Sequence, residues 1–98
     1  MGESVKYERT RLDWKKQSNR GHDFFYAQVN DAGDEYTIEH VDPGEYGYGR
    51  EGWLLTYPNG DRGGLFTTGP HVTNPKTIAQ VAAEAHLLGV LNDQDTQQ

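Results

Sequence analysis

Only one segment of this chain carries the apolar period of an amphipathic helix, and everything before it reads as strand and turn. Asn74 and Pro75 suit a helix start: Asn caps the first free amides, and Pro is harmless in the first turn, where its missing N–H has no partner to lose. Behind them Ile78, Val81, Ala82, Ala85 and Leu88 fall on one side of a 3.6-residue period. That stripe is expected to be the core face, with Gln80, Glu84 and His86 off it and an end at Gly89 or Asn92. A sheet with one apolar face needs a cover, and this helix is the only one available. The expected fold is therefore α+β: an antiparallel meander of four to five strands with one C-terminal α-helix packed on one face.

The strands follow from period-2 alternation and turn chemistry. Residues 10–15 alternate, with Leu12 and Trp14 on one side, and residues 17–22 form a cluster of turn formers. Residues 24–29 place Phe25, Ala27 and Val29 on one face and Phe24 and Tyr26 on the other. Asn30 to Asp34 turns the chain, and residues 36–41 return, making a hairpin. A second hairpin joins residues 52–57 to 62–67 through Asn59-Gly60, the strongest short turn signal in the chain. Gly63-Gly64 in the return strand predicts a bulge or a close backbone approach. Trp53, ahead of two leucines in a strand, is expected in the core.

Ninety-eight residues make one domain, 1–98, with residues 1–6 and 92–98 expected to fray. Hydrophobic residues are only 34 % and mean hydropathy is -0.90, but eleven aromatics predict a thin core rather than disorder. The absence of cysteine removes disulfides, thiolate metal sites and thiol nucleophiles, and points to a cytoplasmic setting. The N-terminal residues hold no apolar signal core and no run approaches membrane-spanning length, so no membrane partner is expected. The net charge of -6 divides into +3 over residues 1–20 and -9 over the rest. An acidic body disfavours non-specific attraction to phosphate, while the basic arm is free to meet something anionic or the body itself.

Little in the chain suggests chemistry. His22, His40, His71 and His86 are far apart and form no His-x-x-x-His or His-x-His pair, and no metal or cofactor is expected. The serines are Ser4 and Ser18 only, no Gly-x-Ser-x-Gly occurs, and no carboxylate is flanked by the apolar residues that would raise its pKa. A non-enzymatic role is expected. The feature that hints at recognition is the loop of residues 42–53, with four glycines, Tyr46, Tyr48 and Arg50. It is no phosphate loop, since a strand and not a helix follows. Two readings stand: a Tyr/Arg lip that closes on a partner, or a wide hairpin whose tyrosines pack on the sheet edge.

Residues 52–67, a Trp-led strand, a Pro-Asn-Gly turn and a strand ending Gly-Leu-Phe-Thr, precede a helix with Ala-Ala-Glu-Ala. Over residues 52–88 this pattern resembles small uncharacterised proteins of actinobacteria and their phages, and more distantly AP2-like domains, whose three-stranded sheet on a helix reads DNA. Those DNA readers carry several Arg or Lys across the strands, whereas these strands offer Arg62, with Arg50 in the loop before them. A small, acidic, cysteine-free chain without visible chemistry fits a non-catalytic accessory protein of a phage or mobile element that binds a host macromolecule. The expected surface joins Tyr46, Tyr48 and Arg50 to outer-face aromatics such as Tyr26. The alternative is nucleic-acid binding, with Lys15, Lys16 and Arg20 on phosphate and Tyr26, Tyr46 or Tyr48 on bases, or an acidic body that imitates DNA. A third class is an assembly subunit, monomer or weak homodimer, pairing through an edge strand.

Overall fold

The computed structural model describes residues 5–19, 22–69 and 73–96. Five strands, β1 (Lys15–Asn19), β2 (His22–Gln28), β3 (Glu35–Val41), β4 (Gly52–Thr56) and β5 (Arg62–Phe66), precede one helix, α1 (Pro75–Thr96). The strands lie in sequence order, each antiparallel to the next, as the meander requires. Val29, Tyr36, Ile38 and Leu55 of the sheet meet Ala79, Ala83 and Leu87 of the helix in one buried cluster.

The first strand is displaced from its expected place. The ladder begins at Lys15, and Gln17, Ser18 and Asn19, read as turn formers, are strand residues paired with β2. The cause lies upstream. The amides of Glu8 and Arg9 both donate to the carbonyl of Val29, at 2.9 and 3.1 Å, while Lys15 pairs with Tyr26. Six residues of arm thus cover a stretch that β2 covers in three. The excess cannot stay in the ladder, so the segment arches and lays Leu12 and Trp14 against the core. The alternation marked the buried side chains correctly while the hydrogen bonds went elsewhere. Of residues 1–6, the first four lie outside the described residues, and Val5 packs on the core.

The turn after β2 is knotted by Asn30, which is 3 % exposed. Its Nδ2 donates to the Lys6 carbonyl (2.8 Å) and to Asp34 Oδ2 (2.9 Å), and its Oδ1 accepts from the amides of Ala32 (3.0 Å) and Asp34 (3.2 Å). One side chain therefore closes the hairpin and ties the arm to it. Between β4 and β5 the register shifts at Leu55/Thr56, opposite the two glycines, as expected. At Gly63 a Cβ would sit 2.8 Å from Tyr57 Cε1 and 2.9 Å from Leu55, so a side chain there has no room.

The helix opens as predicted, with Asn74 Oδ1 accepting from the Thr77 amide at 3.3 Å, and runs through Gly89 and Asn92 to Thr96. Its orientation reverses the expectation. Ala79, Ala83 and Leu87 face the sheet, Ala82 packs beside them, and Ile78 (44 %), Val81 (55 %) and Leu88 (58 %) are exposed, with Ala85. The stripe expected from the period, Ala82 apart, points to solvent. Ala79 and Ala83, one turn apart, let the helix backbone come close to a sheet already filled by Tyr36, Ile38 and Leu55.

His86 then reaches the core side too, contrary to its expected place. The Tyr36 side chain is fully buried, and its hydroxyl lies 2.7 Å from His86 Nδ1, while Tyr57 stacks on the imidazole at 3.9 Å between centroids and 12° between planes. Burial holds the Tyr36 hydroxyl well above the usual phenol range, with smaller contributions from Tyr7 and Tyr57, and so keeps it a donor. Burial also pushes the His86 pKa below its ordinary value, favouring the neutral ring that accepts this proton. A histidine whose folded pKa is depressed binds fewer protons folded than unfolded between the two pKa values, so stability falls as pH drops below about 6.5 toward the folded value. We expect the melting temperature to decline from pH 7.5 to pH 5 and His86→Gln to flatten part of that slope. Equal slopes for both proteins would remove His86 from the account.

Candidate binding surface

The sheet face away from the helix is set by alternation. Tyr36, Ile38 and Leu55 touch the helix, so Thr37, Glu39 and Val41 of β3 and Leu54 and Thr56 of β4 point the other way. On β2 and β1 the same face carries Phe24, Tyr26, Gln28, Lys15 and Gln17. Lys16, one residue on from Lys15, points to the helix side, with its Nζ 3.6 Å from Asp23. Ser18 donates to Asp23 at 2.6 Å, and this bond and Lys16 hold that carboxyl below the usual carboxylate range.

The glycine-rich loop divides the outer face into two halves. It contains a 3-10 turn, Glu45–Gly47, closed on itself by the Gly44 amide on the Tyr48 carbonyl (2.6 Å), the Tyr48 amide on the Glu45 carbonyl (2.9 Å) and the Asp42 amide on Glu45 Oε1 (2.7 Å). Gly44 and Gly47 take φ of +93° and +82°, which explains two of the four glycines by backbone geometry. Tyr48 is half-buried, with the Arg62 guanidinium 5.9 Å from its ring centre. Arg62 pairs with Thr56, the end of β4 farthest from the loop's junction at Gly52. The loop therefore doubles back across β4 and β5, and under it Val41 and Leu54 are 0 % and 2 % exposed despite facing away from the helix. Of the two readings of the loop, Tyr48 follows the packed one.

The expected site residues thus fall into separate groups. Tyr26 and Lys15 sit side by side on the open half of the face, and Lys16 is on the opposite face. Tyr48 covers the other half, and Arg50 is exposed in the same loop. Tyr46 contributes backbone to the 3-10 turn, and its side chain and all of Arg20 lie outside the described residues. The arm brings in a residue that sequence reasoning missed. Arg9, anchored at Val29 and paired with Asp31 at 2.9 Å, lines with Asp13, Lys15, Tyr26 and Gln28 a small hollow of about 100 Å³. Beside it Phe24, Thr37 and Glu39 line a shallow depression of about 230 Å³. Phe24 and Tyr26, ring centres 6.2 Å apart at 42°, form an aromatic ridge between the two. The signal for Phe24 was its alternation with Phe25, which already put it outside.

At the far end of β3, His40 lies edge-on to Trp53 (5.2 Å between centroids), with Glu51 Oε1 3.2 Å from Nε2 and Asp42 Oδ1 3.7 Å from Nδ1. Trp53 itself is half-buried and packs on the core with Phe25. Among the described residues no group of three or more His, Asp or Glu side chains could hold a metal ion, and no helix is long and apolar enough to cross a membrane. No family model, no curated protein and no solved structure matches the chain.

Proposed function

We propose that this is a non-catalytic binding protein that takes a protein partner on the open half of its sheet, over β1, β2 and β3. The observation that carries this reading is the Phe24–Tyr26 ridge, two half-exposed aromatics with a hollow on either side and Lys15 and Arg9 at the rim. Aromatics flanked by cations are the usual anchors of protein interfaces, because they bury large rigid areas at low entropic cost. The host-directed accessory role rests on the small, acidic, cysteine-free character of the chain, and the doubled-back loop serves as one wall of the surface rather than as its centre.

The test is capture from an actinobacterial lysate by the immobilised protein and by Phe24→Ala/Tyr26→Ala. The double variant is expected to keep its circular dichroism and lose its partner, since truncating paired anchors weakens binding by about 30-fold or more. Retention by the double variant would place the interface elsewhere. A parallel nuclease-treated arm and a salt titration distinguish nucleic acid. That second reading is favoured by Lys15 and Arg9 beside Tyr26, and it requires affinity that falls steeply with ionic strength.

A further inference from the structure

Between its two anchors the N-terminal arm is held by side chains alone. One anchor is the pair of bonds from the Glu8 and Arg9 amides to the Val29 carbonyl, reinforced by Arg9 on Asp31 and by Asn30 on the Lys6 carbonyl. The other is Lys15, where the ladder with β2 begins. Among the described residues no hydrogen bond or ion pair involves residues 10–14. The arch they form touches the core through Leu12 and Trp14, both half-buried.

Packing under the arch is incomplete on two counts. The Trp14 Nε1–H is shut away from solvent and has no hydrogen-bond partner among the described residues. A buried donor in that state costs free energy that is recovered once water reaches it. Beside Leu12 there is also a hollow of about 290 Å³, lined by Thr10, Arg11 and Leu12 on the arch and by Glu84, Leu87 and Leu88 on α1. Side chains that border unfilled space lose the dispersion contacts that close packing supplies.

We propose that residues 10–14 form a flap, hinged at Arg9 and Lys15, that opens while the rest of the fold stays closed. The segment has no backbone hydrogen bond to break, a donor to satisfy and open space beside it, which puts its opening at the low end of the local stabilities within a domain. Both hinges hold, because each ends on backbone hydrogen bonds that the opening leaves intact. The flap also borders the outer face. Asp13 and both hinge residues line the hollow beside Tyr26, so opening takes away one wall of the proposed partner surface. That consequence rests on the binding reading, and the flap itself does not.

Trypsin cleavage between Arg11 and Leu12, followed by mass spectrometry across a urea series below the unfolding transition, tests the flap on the free protein. The cleavage rate tracks the population of whichever opening exposes the bond. Flap opening exposes little surface, so the rate is expected to rise much less steeply with urea than the globally unfolded fraction does. Leu12→Ala removes one of the two apolar contacts and is expected to speed this cleavage by about 10-fold or more. In urea melts the double variant Leu12→Ala/Trp14→Ala is expected to be no less stable than the weaker single variant, since a flap already released has no further contact to lose. No cleavage after Arg11, cleavage with the full urea dependence of global unfolding, or additive losses in the double variant would each overturn the proposal. None of these readouts involves a partner, so failure of the binding reading leaves them unchanged.

Discussion

Asn30→Ala is expected to be among the most damaging single substitutions in the protein, lowering stability by about 3 kcal/mol and the melting temperature by roughly 15 °C. The side chain is buried, and it makes four hydrogen bonds, three to backbone groups in the arm and the hairpin turn and one to a carboxylate. Removing it leaves the part-buried Lys6 carbonyl and Ala32 and Asp34 amides without these partners, and each lost bond costs about 1 kcal/mol. It also frees the arm, whose Val5 and Tyr7 pack on the core. Asn30→Asp separates the roles. It keeps the acceptor but sets a second carboxylate against Asp34, now 2.9 Å from Nδ2, so it should be destabilised at pH 7 and recover in part near pH 4 as one carboxyl protonates. Urea melts of the three proteins at both pH values are sufficient. A loss below about 1 kcal/mol for Asn30→Ala would show that arm and hairpin are not coupled through this residue.

The second large effect compares neighbours on the helix. Ala83→Asp is expected to cost about 4 kcal/mol or to prevent folding, because a carboxylate would enter the cluster of Tyr36, Ile38 and Leu55 without a partner. Val81→Asp, two residues earlier, is expected to change monomer stability by about 0.5 kcal/mol or less, as an exposed position does. The order of these two numbers is diagnostic. If Val81→Asp unfolds the protein and Ala83→Asp is tolerated, the helix is turned the other way, with the bulky stripe inward as its period suggests.

These two cases mark where the chain's own signals were sufficient. The hairpin at Asn30 was legible because Asn-Asp-Ala-Gly-Asp is turn chemistry, and Gly33 takes φ of +98° as such a turn demands. The Asn59-Gly60 hairpin and the helix start at Asn74-Pro75 were legible for the same reason: each depends on residues within four positions of one another. What the Asn30 side chain also does, accepting the arm through Lys6, was not legible, since nothing local announces a bond across 24 residues. The candidate surface was half legible. Alternation placed Tyr26 outside, but it could not say that Lys15 would pair beside it, that Tyr48 would fold over β4 and β5 or that Arg9 would arrive from the arm.

Periodicity and turn chemistry alone determined an antiparallel meander of four to five strands, one helix behind it, and which strand side chains share a face, because each is a matter of backbone geometry over a few residues. Which side of the helix meets the sheet was decided only by packing. The helix carries two apolar stripes, and the preference between them depends on the shape of a sheet surface assembled from residues 24 to 58 positions away. Close approach of small Ala79 and Ala83, with a partner for the Tyr36 hydroxyl in His86, prevails there over the greater area of Ile78, Val81 and Leu88. Burying the larger stripe would cover more apolar surface but hold the helix off the sheet and leave that hydroxyl unpaired.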